Sequence, residues 1–208
     1  NLPILRNHEP IDEQRYLTDA FGAEASAFLA RQKGATKPFF LYLAFNAVHG
    51  PLEATEGYLQ RFPSSTPDRR RTYAAMLAAM DDNIGMVLKT LRDAGLEENT
   101  LVYFVSDNGG PITRNAPNAS QNTPLRGGKG ETWEGGIRVP FILNWKGHLK
   151  AGVTCTQPVI QMDVTATVLA LAGVHVDAKW PMDGVSLLSL LNAPEKGEAP
   201  HKMLCWEY

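Results

Sequence analysis

Two short runs constrain the fold of this chain more than any other feature. Phe39-Phe40-Leu41-Tyr42-Leu43-Ala44-Phe45 and Leu101-Val102-Tyr103-Phe104-Val105 show no alternation of apolar with polar positions. A strand with one face in water alternates, whereas a strand without alternation reads as buried on both faces. Helical patterns lie between and around the two runs. Strands that alternate with helices predict an α/β layer with a mostly parallel sheet.

The helices are marked by apolar spacing and by their ends. From about Thr18, the expected N-cap, Phe21, Ala25 and Phe28 fall on one face, and Gly34 follows the end. A longer helix is predicted with Thr66 as N-cap and Pro67 at N1. Tyr73, Met76, Leu77, Met80, Ile84, Val87, Leu88 and Leu91 recur along it at three- and four-residue steps, and Gly95 closes it. Asp81-Asp82, inside this helix, read as part of its polar face. Further on, Val139 to Trp145 is predicted as an apolar strand and Gln157 to Gln161 as a short one. Asp163 is expected to cap a helix over Val164–Ala172, a short helix is expected around Ser186–Leu191, and Met203 to Tyr208 reads as a strand starting.

Candidate chemistry sits where the strands end, because ligands of open α/β sheets bind outside the carboxyl ends of the strands. The first run leads to Asn46-Ala47-Val48-His49-Gly50-Pro51. His49 there is either a turn histidine bonding a backbone carbonyl or a site residue. The second leads to Ser106-Asp107-Asn108-Gly109-Gly110, where Asp107 and Asn108 offer adjacent hard oxygens of the kind Ca²⁺ or Mg²⁺ prefers. The same residues are strong Asx-turn chemistry on their own. Gly110 to Thr123 is a long polar loop and a candidate rim or lid. It holds the sequon Asn118-Ala119-Ser120, meaningful only in a eukaryotic secretory setting.

Pro124 to Pro140 is Pro-Leu-Arg-Gly-Gly-Lys-Gly-Glu-Thr-Trp-Glu-Gly-Gly-Ile-Arg-Val-Pro. Glycines let the backbone adopt positive φ and approach a ligand closely, and Lys129 among them offers a compact positive charge to an anion. It is not a P-loop, since the spacing before Gly-Lys is wrong and Gly130 follows the lysine. The plain alternative is a flexible surface loop with a solvated lysine. Trp133, Ile137 and Val139 interleaved with the glycines favour a packed loop.

Leu125-Arg126-Gly127-Gly128-Lys129-Gly130, followed by Glu134-Gly135-Gly136, Arg138 and Pro140, resembles the second signature of the sulfatase family, sulfuric ester hydrolases of the alkaline-phosphatase superfamily. Phe39-Phe40-Leu41-Tyr42-x-Ala44 with His49-x-Pro51, and Ser106-Asp107-Asn108-Gly109, are similar to further segments of that family and come in its order. The resemblance runs from about Tyr16 to Tyr208. It implies an alkaline-phosphatase-like three-layer α/β core, here incomplete, with residues 1–202 the later part of the catalytic domain and 203–208 the start of a C-terminal subdomain. The implied activity is hydrolysis of a small-molecule or carbohydrate sulfate ester by a formylglycine nucleophile. Lys129 would then bind the sulfate, His49 would act as acid or sulfate ligand, and Asp107 with Asn108 would hold Ca²⁺ in preference to Mg²⁺. Two-zinc phosphohydrolases of the superfamily usually carry His after this Asp, which suits softer Zn²⁺. A phosphodiesterase or phosphonate hydrolase is the nearest alternative, and a non-catalytic remnant of the fold is the other.

The family's nucleophile motif does not appear in the chain. Ser65-Thr66-Pro67-Asp68-Arg69 matches its core Ser-x-Pro-x-Arg, but Arg70-Arg71-Thr72-Tyr73 follow in place of the family's continuation. The nucleophile is therefore expected upstream of Asn1, and these 208 residues alone are expected to be inactive. A net charge of −2 without a basic aromatic stripe argues against nucleic acid. No apolar run is long enough to span a bilayer. Cys155 and Cys205 lack metal spacing and allow at most one bridge. Periplasmic or secreted placement is a family expectation, made with no signal peptide visible. Oligomeric state is not legible.

Overall fold

The computed structural model describes residues 3–113, 116, 118, 120–194 and 198–207. The chain divides into two compact units, Asn1–Glu97 with Pro111–Gln121, and Glu98–Gly110 with Asn122–Tyr208.

The first unit opens with a hairpin. β1 (Ile4–Arg6) pairs antiparallel with β2 (Glu9–Ile11), and Asn7 turns the corner at φ 58°. Three helices follow: α1 (Leu17–Arg31), α2 (Glu56–Leu59) and α3 (Asp68–Asp93). α1 packs on α3 through small or slender side chains, with Ala20, Ala25 and Leu29 buried on one and Ala75, Met76 and Ala79 on the other. Gly22 marks the closest approach, since a Cβ there would lie 2.7 Å from Asn83 Cγ. Asn83 is itself buried and satisfied. Its Nδ2 donates to the Ala79 carbonyl at 2.8 Å and to Asp19 Oδ1 at 2.7 Å. Tyr58 donates to the same Asp19 oxygen at 3.0 Å, so one carboxylate ties α1, α2 and α3 together.

Both long helices appear where the spacing predicts, with ends shifted by a residue or two. Tyr16 and Pro67 occupy the N-cap positions, and Thr18 lies buried in the first turn of α1. Asp81 and Asp82 are exposed on α3, and Asp82 pairs with Arg61 at 2.6 Å. Ser65 is exposed in the turn that precedes α3.

Phe39–Phe45 departs from expectation. It runs without a strand ladder, and exposure alternates along it: Phe40 is 70% exposed and Tyr42 81%, whereas Phe39, Leu41, Leu43 and Phe45 are half-buried. The covered face meets α1, where Phe28 and Phe39 stack edge to face at 5.8 Å. Absence of alternation reports that both faces are apolar. It does not report that a cover exists for both, and among the described residues only one face has it.

In the second unit, β3 (Val102–Val105) pairs antiparallel with β4 (Phe141–Asn144), in the register Val102 to Asn144 and Val105 to Phe141. Tyr103 and Phe141 meet edge to face at 6.2 Å across this pair. Around it lie α4 (Glu134–Ile137), α5 (Met162–Leu171) and α6 (Leu188–Asn192). Both ladders among the described residues are therefore antiparallel, set in an α/β arrangement.

The centre of this unit is polar as well as apolar. Asp163, 0% exposed, sits inside the first turn of α5 and not at its cap, and accepts from the backbone N–H of Ile160 at 2.9 Å and of Val185 at 2.8 Å. His201 Nε2 bridges both Asp163 oxygens at 2.8 and 2.9 Å. Thr167 donates to the Asp163 carbonyl at 2.6 Å and accepts from Leu187 N–H at 2.9 Å. A buried carboxylate survives when its lone pairs are met in this way. Gln157–Gln161 and 203–207 form no strand, and Tyr208 lies outside the described residues. Cys155 and Cys205 are both free and exposed.

Candidate functional site

β3 delivers Ser106–Gly110 at its carboxyl end, and short bonds hold that turn in shape. Asp107 Oδ1 accepts from Asn108 N–H at 2.9 Å, an Asx contact. Asn108 Nδ2 donates to the Gly109 carbonyl at 2.9 Å, which turns the amide oxygen the other way. Ser106 Oγ donates to the Asn108 carbonyl at 3.2 Å. Asp107 Oδ2 and Asn108 Oδ1 have no hydrogen-bond partner among the described residues, and they are oxygens on consecutive residues. The turn chemistry thus uses Asp107 Oδ1 and Asn108 Nδ2, and metal chemistry at this segment would use the other oxygen atoms of the same two side chains.

The lysine loop is fastened onto this turn. Gly109 N–H donates to the Gly136 carbonyl at 2.9 Å, and Lys129 N–H donates to the Gly110 carbonyl at 3.2 Å. A Cβ on Gly109 would overlap the Gly135 carbonyl oxygen, so only glycine allows the two backbones to come this close. Asn122 adds a clamp. Its Oδ1 accepts from Gly110 N–H at 3.1 Å, and its Nδ2 donates to the carbonyls of Gly110 and Gly127 at 2.8 and 2.9 Å.

Within the loop, Gly135 N–H donates to the Arg126 carbonyl at 2.7 Å, and Glu131 Oε2 accepts from Gly128 N–H at 2.9 Å. The Arg126 guanidinium lies 3.7 Å from the centre of the Trp133 ring, a cation–π contact. Gly127 takes φ 81° and Gly130 φ 85°, on either side of the lysine. The loop is packed, and Lys129 stands exposed on it.

The structure brings Asp107, Asn108 and Lys129 together in the second unit. His49 belongs to the first. It is exposed, with its N–H bonded to the Asn46 carbonyl at 2.8 Å and Nδ1 2.7 Å from the Gly50 carbonyl. A carbonyl only accepts, so Nδ1 carries the hydrogen and Nε2 is the nitrogen left for chemistry. Among the described residues no three of His, Cys, Asp and Glu cluster as a metal site. Asp107 Oδ2 and Asn108 Oδ1 are hard oxygens, the donor type of which Ca²⁺ takes six to eight.

Sequence reasoning missed Gln161. From the residue before α5 its Nε2 donates to the Ser106 carbonyl and to the Asp107 carbonyl, the latter at 3.2 Å and across 54 positions of sequence. Asn122, Glu131 and the Asp163–His201 pair were also missed. No local pattern marks any of them, because each works through a partner set by tertiary structure. The sequon asparagine, Asn118, is buried, and its Oδ1 accepts from Ser120 N–H and Oγ at 3.1 and 2.7 Å.

A carboxylate, an amide and a glycine-flanked lysine thus share the carboxyl end of β3 on an alkaline-phosphatase-like α/β fold. Residues 3–174 match the family model described as Sulfatase, and the chain belongs to the sulfatase family. It is 33% identical to N-acetylgalactosamine-6-sulfatase of Sus scrofa over 96% of this chain and 40% of that protein. It is 36% identical to steryl-sulfatase of Mus musculus over 84% of this chain and 27% of that protein. Among solved structures it resembles Ps i-CgsB, with a TM-score of 0.89 and 37% identity over 97% of this chain and 43% of that one. The same protein solved with k-i-k-neocarrahexaose gives a TM-score of 0.85 at 38% identity, covering 91% of this chain and 41% of that one. The chain thus spans about 40% of the length of the curated relative first named.

Proposed function

We propose that the protein to which these residues belong hydrolyses sulfate esters of small molecules or carbohydrates. The observation that carries this reading is the fastening of the Lys129 loop to the Asp107–Asn108 turn through the Gly109–Gly136 and Lys129–Gly110 backbone bonds. It holds the Lys129 backbone against the turn that carries the Asp107 and Asn108 side chains. Lys129 would meet the sulfate as a point charge, carried on a loop whose backbone is already packed before substrate arrives. Asp107 Oδ2 and Asn108 Oδ1 are the ligands offered to Ca²⁺. A bound Ca²⁺ would supply further positive charge to the sulfate oxygens. By resemblance, His49 would serve as proton carrier for the departing alkoxide, giving the Nε2 proton from its doubly protonated form while Nδ1 stays bonded to the Gly50 carbonyl. The nucleophile in this reading is a formylglycine, and the 208 residues alone are not expected to turn over. Among the relatives, N-acetylgalactosamine-6-sulfatase names a sugar sulfate and steryl-sulfatase a sterol sulfate, which supports either class of substrate. No helix among the described residues is long and apolar enough to cross a membrane.

The test is turnover of matched aryl sulfate and aryl phosphate esters by the complete protein and its Lys129→Ala variant. Sulfate should be preferred, and Lys129→Ala should lower kcat/KM on it by about 100- to 1000-fold, the loss typical of a fixed oxyanion contact. Preference for phosphate, or a variant as active as wild type, would sink the reading.

A further inference from the structure

We infer that Gln161 is a positioning residue for the cation-binding turn, acting on Asp107 and Asn108 through their backbone and touching no substrate. Gln161 is exposed and reaches the end of β3 with one amide nitrogen shared between the carbonyls of Ser106 and Asp107. These two peptide groups set the direction in which the Asp107 and Asn108 side chains leave the chain. A long side chain loses rotamer freedom when it is held in this way, and an exposed hydrogen bond returns little folding stability. The arrangement is therefore better explained by what it holds than by what it stabilises.

The base of Gln161 is unusually firm for an exposed residue. It lies in a turn closed twice between Ile160 and Asp163. Asp163 N–H donates to the Ile160 carbonyl at 2.9 Å, and Ile160 N–H donates back to Asp163 Oδ2 at 2.9 Å. Asp163 is in turn locked by Val185 N–H and by His201 Nε2. A rigid, fully buried anchor thus ends in one polar arm whose two bonds converge on the turn. Groups that orient a metal ligand without touching the metal commonly change its affinity 10- to 100-fold when removed.

This inference rests on the reading of Asp107 and Asn108 as ligands, and the experiment separates the two. The complete protein, stripped of metal, is titrated with Ca²⁺ by calorimetry as wild type, Gln161→Met and Asp107→Ala. The methionine keeps the length of the side chain and removes both hydrogen bonds. Gln161→Met should weaken Ca²⁺ binding about tenfold while leaving the Tm of the metal-free protein within about 2 °C of wild type. Asp107→Ala should reduce binding further. Loss of binding in Asp107→Ala with wild-type binding in Gln161→Met would overturn the positioning role and leave the ligand reading standing. Wild-type binding in Asp107→Ala would overturn both. A large fall in metal-free Tm for Gln161→Met would make the residue a structural support instead.

Discussion

Gly109→Ala puts the closeness of the lysine loop and the Asp107–Asn108 turn to a direct test. The added methyl would overlap the Gly135 carbonyl oxygen and lie 2.8 Å from Gly135 C and 3.1 Å from Gly136 Cα. All three are backbone atoms, so no side chain can rotate away. The turn and loop must part, which breaks the 2.9 Å bond from Gly109 N–H to the Gly136 carbonyl. Forcing a methyl into packed backbone costs about 1–3 kcal/mol. The lost hydrogen bond adds about 1 kcal/mol. Removing a glycine from the unfolded chain offsets about 0.5 kcal/mol of that. The net destabilisation should be about 1.5–3.5 kcal/mol, read from urea unfolding of the complete protein, with Ca²⁺ affinity falling in parallel. Gly85→Ala is the control, because nothing lies within 4 Å of a Cβ there and it sits inside α3. It should stabilise by about 0.5–1 kcal/mol. Equal stability of Gly109→Ala and wild type would refute the close approach, and with it the argument that the loop and the turn move as one.

Other outcomes follow from the two polar hubs. Asp163→Ala would leave the N–H groups of Ile160 and Val185 and the ring of His201 without their acceptor, and should destabilise by about 3–5 kcal/mol in urea unfolding. Gly22→Ala should cost about 1–3 kcal/mol, since the methyl would meet Asn83 Cγ at 2.7 Å and Cβ at 2.8 Å. Burial, and then the hydrogen bond to Asp19, push the Tyr58 hydroxyl up from 10.0 to about 12. Because the folded value is raised, the stability linked to it is complete below pH 10.0 and is lost as pH climbs through about 12. An ultraviolet titration of the Asp19→Asn variant should show the Tyr58 midpoint moving part of the way back. The Arg61 guanidinium holds Asp82 below the ordinary carboxylate range, so the small stability from this exposed pair should fade only as pH falls through that lowered value. Arg61→Ala should return the Asp82 titration, followed by NMR, to an ordinary midpoint.

The sequence made legible what depends on neighbours along the chain. Spacing placed α1 and α3, the apolar stretch before Asp107 placed β3, and the glycines around Lys129 announced a loop that needs positive φ at Gly127 and Gly130. Helix ends shifted because Tyr16 and Pro67, neither a side-chain capper, took the positions that Thr18 and Thr66 were expected to fill. Phe39–Phe45 was misjudged in its cover because apolarity is a property of the segment, whereas burial belongs to whatever lies against it. Gln161, Asn122 and His201 were invisible for a related reason. A glutamine before a helix, an asparagine in a polar loop and a histidine near a chain end are ordinary, and only distant partners give them a task.

The clamp formed by Asn122 also bears on how such a scaffold can vary. Its side chain bonds both the N–H and the carbonyl of Gly110, so the backbone departs at Gly110 and comes back at Asn122 through a single fixed doorway. Pro111–Gln121, between them in sequence, belongs to the first compact unit. Lengthening a loop whose ends are already held costs little, about 0.6 kcal/mol for each doubling. Extra length between them therefore need not disturb Gly110, because its place beside the lysine loop is set by Asn122.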